Sequence, residues 1–575
     1  MRHFQWYVVN AEYVDTHLML GRSYYEGYPF TVFQSEKEAT VIDGAIYNKS
    51  QSRVRRELDE VSFAELSFDR LSDKIKEFVC STHGEFVIVK YDKLGGNCVI
   101  FNDALGRLPL YYCSSPYRYP TLTVISREPK FIMPFLGKLN FDLIAVAEYL
   151  LFGYSLSTRT LWKDIKRLPP ATMLMINTEG KGVLSKQVFL WNLDPENTNG
   201  SKEKYLGGNA KNLVNLFRGS VKDIAKRFSK DYAHVVALSG GLDSRATLAG
   251  LCDAGVKPIA ISFPTGEYRI ARKIAQSLKV NHYMISPSFK MLNKDYVKMT
   301  DGLANLGALH ILSYMYEIRE KTGNKAVLYT GDGGDKTLSP LGFKFDISNV
   351  QELVSYLIET DHVFDLGEIS LMLNIRKETL REHLENYLMS YPEKTMEGKF
   401  AHFRVFERGF KWLFIGEDRN RLFMWSTTPF YSINFFKASM KESQKVKNHF
   451  MLYKSFLSNL NPILPRIQYY DRLIPLSLPN WLLKSYLTIF EWLKKHFYVS
   501  GSSNLISLFV GQPKREMSDE TKKFMLQLLT EKDIFDFLDS SKVGEKIISE
   551  KNQIKLNVLA TLILHASVVK STDSS

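Results

Sequence analysis

Cysteine is scarce in this chain. Four occur in 575 residues, Cys80, Cys98, Cys113 and Cys252, in unrelated contexts without CxxC or Cys/His spacing. That excludes a disulfide framework and a cysteine-based zinc site, and it makes a reducing, cytoplasmic setting the expectation. No uninterrupted apolar run reaches membrane-spanning length, and Met1–Trp6 opens without the apolar core of a signal peptide. Lysine and arginine outnumber acidic residues 75 to 62, a net charge of +13. No basic cluster is interleaved with aromatics, so a solvated basic surface is expected and no nucleic-acid partner. Apolar residues make up 45%, the share of a globular chain, and the length allows two or more domains.

The chemistry concentrates in His234–Gly250, HVVALSGGLDSRATLAG. The run Val235, Val236, Ala237, Leu238 predicts a buried parallel strand. A Gly-rich turn, Ser239-Gly240-Gly241-Leu242-Asp243-Ser244, leads into a helix start at Arg245–Ala249. Strand, turn and helix start together make an anion site, because free N–H groups and the helix dipole face the ligand. Ser239 and Ser244 add hydroxyl donors. The lysine of a Walker A loop is missing. Asp243 beside a phosphate nest makes sense chiefly if a divalent cation bridges carboxylate and phosphate; an ordinary turn is the bland alternative.

Strand and helix patterns alternate after the turn, at Ile259–Phe263, Arg269–Leu278, His282–Ile285, Leu309–Arg319 and Ala326–Tyr329. This predicts an α/β unit with a parallel sheet, whose ligands bind beyond the carboxyl ends of the strands. Residues 1–140 instead alternate short apolar strands with turns, at Trp6–Val9, Ala39–Ile46, Glu85–Lys90, Asn97–Phe101, Pro109–Tyr112 and Leu122–Ile125. That predicts an antiparallel β-rich unit. Pro195–Lys204 is a polar loop candidate between the two.

SGGLDS resembles the pyrophosphate loop of ATP pyrophosphatases, which split ATP into AMP and pyrophosphate. Asp43–Asn48 (DGAIYN) resembles the NGEIYN segment of class II glutamine amidotransferase domains. His83–Asp92 resembles their DGxFAFxxYD strand, and Asn102–Tyr112 resembles RDRLGxxPLYY. The stretches Phe152–Tyr154, Arg159–Trp162 and Ile165–Pro170 resemble the linking EYLxFGY…RTLfxxIxrLPPG. In this order the motifs resemble asparagine synthetase and its relatives.

That resemblance implies an α/β and α+β chain. Residues 1–200 would be an Ntn-hydrolase-like β-sandwich of the class II amidotransferase type. Residues 205–470 would be a doubly wound parallel-sheet ATP-pyrophosphatase (PP-loop) domain, and 471–575 a C-terminal helical extension. It implies ATP contacts at Leu238, Ser239, Gly240, Gly241, Asp243, Ser244, Ser262 and Gly331. Magnesium would sit between Asp243 and Asp335 of the TGDGGD turn, which resembles SGEGxDE. Asp332 takes the family's glutamate position, and Lys454, with Lys445 or Lys447 fitting nearly as well, takes the place of a charge-neutralising lysine. Lys336 and the following Thr337-Leu338-Ser339-Pro340 depart from the family's Glu and FGGY.

The departures from that family in the first domain imply that glutamine hydrolysis is lost while the fold is kept. Position 2 is Arg2, and no cysteine precedes Cys80, so the N-terminal nucleophile that the resemblance calls for is expected to be missing. Asp43 replaces the oxyanion-hole asparagine, where a carboxylate repels the developing charge. Ala45 and His83 replace a glutamate and an aspartate that serve glutamine binding. The implied activity is an ATP-dependent carbon–nitrogen ligase that passes through an acyl-adenylate. Ammonia or another amine would attack a small-molecule or peptide carboxylate. Alternatives are amidation of a surface-glycan sugar acid, an ATP-binding pseudoenzyme or an assembly subunit; a homodimer is possible. Trp481–Phe497 is amphipathic, and packing on the nucleotide domain is expected over contact with an anionic membrane.

Overall fold

In the computed structural model, the residues described are 6–10, 17–21, 25–61, 67–114, 122–136, 140–176, 183–196, 202–228, 231–286, 310–498, 523, 526, 540–550, 552 and 554–563. The first half supplies strands β1 (Trp6–Asn10), β2 (His17–Gly21), β3 (Phe30–Gln34), β4 (Glu38–Ile46), β5 (Gly84–Asp92), β6 (Cys98–Asn102), β7 (Tyr111–Ser114), β8 (Leu122–Ser126), β9 (Lys166–Arg167), β10 (Thr172–Ile176) and β11 (Val183–Gln187). They form two antiparallel sheets, ordered β2-β1-β8-β7-β9 and β11-β10-β6-β5-β4-β3.

Period-two alternation assigns the faces of the larger sheet. Ile42, Phe86, Ile88 and Phe101 share a core with α1 (Gln51–Asp59) and α2 (Phe68–Ser81), where the Phe78 ring meets Phe86 and Phe101 edge-on. Val41, Val87, Val89 and Ile100 belong to a second core with Leu108, Leu110 and Ile125. Ser50 and Ser67 cap the two helices by accepting the Arg53 and Arg70 N–H groups. The strand expected at Pro109–Tyr112 starts instead at Tyr111. Proline has no N–H for the ladder, and Pro109 O accepts from Arg127 Nε at 2.6 Å.

The second half holds β12 (Ala233–Ala237), β13 (Ile259–Ser262), β14 (Asn281–Met284), β15 (Ala326–Tyr329) and β16 (Trp425–Thr427). Every neighbouring pair is parallel, in the order β14-β13-β12-β15-β16. Both faces are covered, as continuous apolar strands require. Val236, Val327 and Tyr329 pack with α4 (Lys202–Arg227), α5 (Asp243–Asp253) and α6 (Tyr268–Ser277), through residues such as Phe217, Ala249 and Ile274. Val235, Ile261 and Leu328 pack with Leu312, Met315 and Ile318 of helix His310–Thr322; Leu309, expected to open it, lies outside the described residues. The helix from Lys202 shortens the polar loop expected at Pro195–Lys204.

A helical layer, from Val350 to Asn420, intervenes in the chain between the paired strands β15 and β16 and shares a core with α3 (Leu143–Phe152). The stretch Phe403–Leu413 in it is π-helical, a wound form that concentrates at functional sites. Helix Asn480–Tyr498 buries Leu483 and Leu487 in the core of the parallel-sheet half and leaves Trp481 70% exposed. Helix Ser540–Ser549 and the helical residues 554–563 fold back onto helix Leu366–Leu373, where Lys546 and Lys555 both pair with Glu368. Among the described residues no helix is long and apolar enough to cross a membrane.

Candidate active site

The order of the parallel sheet reverses between β12 and β15, the place where such sheets bind ligands. The Ser239–Ser244 turn leaves β12 there, and Thr330–Asp335 leaves β15. Ser239 N–H donates to Ser244 Oγ at 3.0 Å, the two hydroxyl oxygens lie 3.1 Å apart, and Gly241 N–H donates to Ser239 Oγ at 3.1 Å. Arg245 braces the turn from behind. It donates to Gly240 O and Gly241 O at 2.9 and 2.8 Å, and across to the carbonyls of Leu464, Ile467 and Gln468. Burial lowers the Arg245 pKa to about 10.

The two turns touch because glycine lets them. A Cβ on Gly331 would lie 2.7 Å from Ser244 N, and one on Gly334 would lie 2.5 Å from Asp243 Cγ. Asp243, Asp332 and Asp335 therefore gather at one end of the sheet. Burial, and then the charge of Asp335, pushes the Asp243 pKa up to about 7. Burial, followed by Glu417, Asp335 and Asp243, pushes Asp332 up to about 8. Tyr453 Oη donates to Asp243 Oδ1 at 2.6 Å, and Lys336 pairs with Asp335. These are hard oxygen donors crowded with negative charge. They fit a magnesium ion that takes one or two carboxylates and completes its shell with water and phosphate oxygens. Among the described residues no group of three His, Cys, Asp or Glu side chains could by itself hold a metal.

A cavity of about 510 Å³ opens over this pair of turns, lined by Ser239, Asp243, Ser244, Gly331, Asp332 and Asp335. Its far wall is the π-helical stretch and the helix that follows: Lys411, Trp412, Gly416, Arg419 and Asn420 also line it. Burial and the nearby Arg167 lower the Lys411 pKa to about 7, and its Nζ donates to Arg159 O at 3.1 Å. Sequence reasoning missed this wall. The only signal was a charged run, Glu417-Asp418-Arg419-Asn420-Arg421, in an aromatic-rich stretch.

Several expected site residues are held elsewhere. Lys454 Nζ donates to Leu478 O at 2.6 Å and Asn480 Oδ1 at 2.8 Å and does not line the cavity. One residue along the helix turns a side chain by about 100°, so Tyr453 reaches Asp243 and Lys454 points away. Lys447 is fully buried near Met440, with its pKa lowered to about 8 by burial, and lies off the cavity as well. Gly240 N–H is taken by Glu267 Oε2 at 2.8 Å. Ser262 Oγ donates to Leu238 O at 2.5 Å and contacts His282 Nε2 at 2.8 Å, so Leu238 and Ser262 brace the strand ends. Leu238, Gly240, Gly241 and Ser262 are not among the lining residues, whereas Ser239, Asp243, Ser244, Gly331, Asp332 and Asp335 are.

In the first half, Asp43, the carboxylate expected at an oxyanion-hole position, has both oxygens engaged. Asp43 is buried, accepts from Tyr28 Oη at 2.6 Å and pairs with Arg127 at 3.1 Å. Arg127 also grips Asp418 of the second half. Ala45 lies wholly in the core. His83 is buried 3.8 Å from Asp223, and burial lowers its pKa. A second buried group spans the halves. Arg107 pairs with Glu85 and, at 2.8 Å, with Glu417; Arg421 reaches Glu85 at 2.8 Å and Glu417 at 3.3 Å. Glu417 in turn accepts from Thr330 Oγ1 at 3.0 Å.

Residues 25–188 match the family described as glutamine amidotransferase domain, so the first half is similar to that class of domain. No curated protein matches the chain. Among solved structures, NMN synthetase from Francisella tularensis is similar at 16% identity and a TM-score of 0.19, covering 37% of this chain and 96% of that one. The U34-tRNA thiolase NcsA from Methanococcus maripaludis, solved with its [4Fe-4S] cluster, is similar at 17% identity and a TM-score of 0.18, covering 38% and 80%.

Proposed function

We propose that this chain is an asparagine-synthetase-like, ATP-dependent amide-forming ligase of the cytoplasm. A substrate carboxylate oxygen attacks the α-phosphorus of ATP, the bond to the pyrophosphate breaks, and an acyl-adenylate forms. The nitrogen of ammonia or another amine then attacks the acyl carbon, AMP leaves, and the nitrogen gives up one proton. The observation that carries this reading is the meeting of Asp243 and Asp335 beside the Ser239–Ser244 turn at the strand switch point.

Ser239 and Ser244 offer hydroxyl donors to the phosphates, and Arg419 supplies a positive wall opposite them. Asp332, whose pKa burial pushes up to about 8, is suited to take the proton the amine loses. A magnesium ion held by Asp243 and Asp335 would supply charge neutralisation on the pyrophosphate. On this reading the first half is an Ntn-hydrolase-like sandwich that no longer releases ammonia from glutamine; the Asp43–Arg127 pair, at the residue matched to the family's oxyanion-hole asparagine, supports it. The test is pyrophosphate release from Mg-ATP with aspartate, comparing ammonium with glutamine as nitrogen source. Release with ammonium alone, with asparagine formed, is expected. Release with glutamine overturns the reading of the first half; release with neither overturns aspartate as substrate and favours another carboxylate, such as a peptide or sugar acid.

A further inference from the structure

The helix Phe414–Asn420, continued by Arg421, has two charged faces with separate tasks. Ile415, Gly416, Arg419 and Asn420 fall on one side by helical spacing, and all four line the cavity. Glu417, Asp418 and Arg421 fall on the other side and are buried against the first half. Asp418 is gripped by Arg127, which the first half holds at its Nε by Pro109 O at 2.6 Å and at Nη1 by Asp43 at 3.1 Å. Arg127 is 1% exposed and Asp43 0%, so solvent does not loosen this chain of charges. Removing one partner of such a buried pair leaves an uncompensated charge, so the pair resists separation.

We propose that Arg127 is a positioning residue of the nucleotide cavity: seated on Asp43, it fixes Asp418 and thereby the helical turn that presents Arg419 and Asn420. The degenerate amidotransferase-type half then has a function of its own, as the rigid back of the second half's site. The carboxylate that replaces the oxyanion-hole asparagine is the first link of this device and not a remnant. The inference rests on the nucleotide reading of the cavity and adds to it which residues of the first half act there.

The experiment is a set of Mg-ATP titrations by calorimetry on the full-length chain and its variants. Arg419→Met and Arg127→Met should each weaken binding about tenfold, the loss of one charge-assisted contact in a cavity. Because Arg127 acts through Arg419, the double variant should bind no worse than Arg419→Met alone. Asp43→Asn keeps the shape and the Tyr28 contact and should weaken binding by a smaller factor, so the test does not depend on Arg127→Met folding. A purely structural role would lower the melting temperature of these variants without making their effects on affinity depend on Arg419. Wild-type affinity in both Arg127→Met and Asp43→Asn overturns the proposal, as does a double variant whose loss is the product of the two single losses. Absence of Mg-ATP binding by the wild-type chain overturns the nucleotide reading itself, and the proposal with it.

Discussion

Replacing Asp243 with asparagine removes one charge from the crowded group of Asp243, Asp332 and Asp335 while keeping an acceptor for Tyr453 Oη. In the folded chain the Asp243 pKa is raised from 3.8 to about 7 by burial and by Asp335. Between those two values the folded state holds a proton that the unfolded state has released. Stability therefore falls as pH rises through this window and levels off above about 7. Each unit is worth about 1.36 kcal/mol, which sets a ceiling of ~4 kcal/mol. Partial contact of the carboxylate with solvent brings the expected figure to about 1–2 kcal/mol. Asp332, raised to about 8, contributes with the same sign. Thermal and urea unfolding in EDTA at about pH 5.5 and about pH 8 should show the wild-type chain losing stability over the interval. Asp243→Asn should lose less and should exceed the wild-type chain at the higher pH. Adding Mg-ATP at that pH should raise the wild-type melting temperature and leave that of Asp243→Asn unchanged. Parallel pH profiles for the two proteins would refute the charge crowding on which the site assignment depends.

Gly334→Ala places a methyl 2.5 Å from Asp243 Cγ; it should cost ~1–3 kcal/mol by overpacking and abolish the Mg-ATP-induced shift in melting temperature. Arg107→Met leaves the buried carboxylates of Glu85 and Glu417 with one shared cation, Arg421, in place of two. A loss of about 3–5 kcal/mol is expected, and a loss below about 1 kcal/mol in calorimetry would mean the network is not buried as described. Lys454→Ala should leave Mg-ATP affinity unchanged and cost about 1 kcal/mol for its hydrogen bonds. Tyr453→Phe, by contrast, removes the donor that holds the Asp243 pKa down; the pH at which Asp243 loses its proton, followed by NMR of a carboxylate-labelled sample, should move upward.

Much of the fold was legible because its signals are local. An apolar run ending in a Gly-rich turn is a strand and a loop whatever surrounds it; Val235–Leu238 and Ala326–Tyr329 were readable for that reason. The same holds for the carboxylates of the two turns, since Asp243 and Asp335 follow strand ends that a parallel sheet must bring to one edge. Lys454 lies off the cavity for a geometric reason. Facing is decided by one residue of helical phase, and neither spacing nor charge separates Tyr453 from Lys454 until the helix is docked against α5.

What the sequence by itself determined is therefore the local architecture: a strand–turn–helix at Val235–Ala249, two carboxylates on turns that follow parallel strands, and a first half similar to glutamine amidotransferase domains. Only the tertiary structure decided how the site is closed and held. The third wall comes from a π-helical stretch with no motif. The helix that follows it, Phe414–Asn420, is clamped by ion pairs between residues hundreds of positions apart, Arg107 with Glu417 and Arg127 with Asp418. Such pairs depend on shape and burial across two packed halves, and one-dimensional spacing carries no record of either.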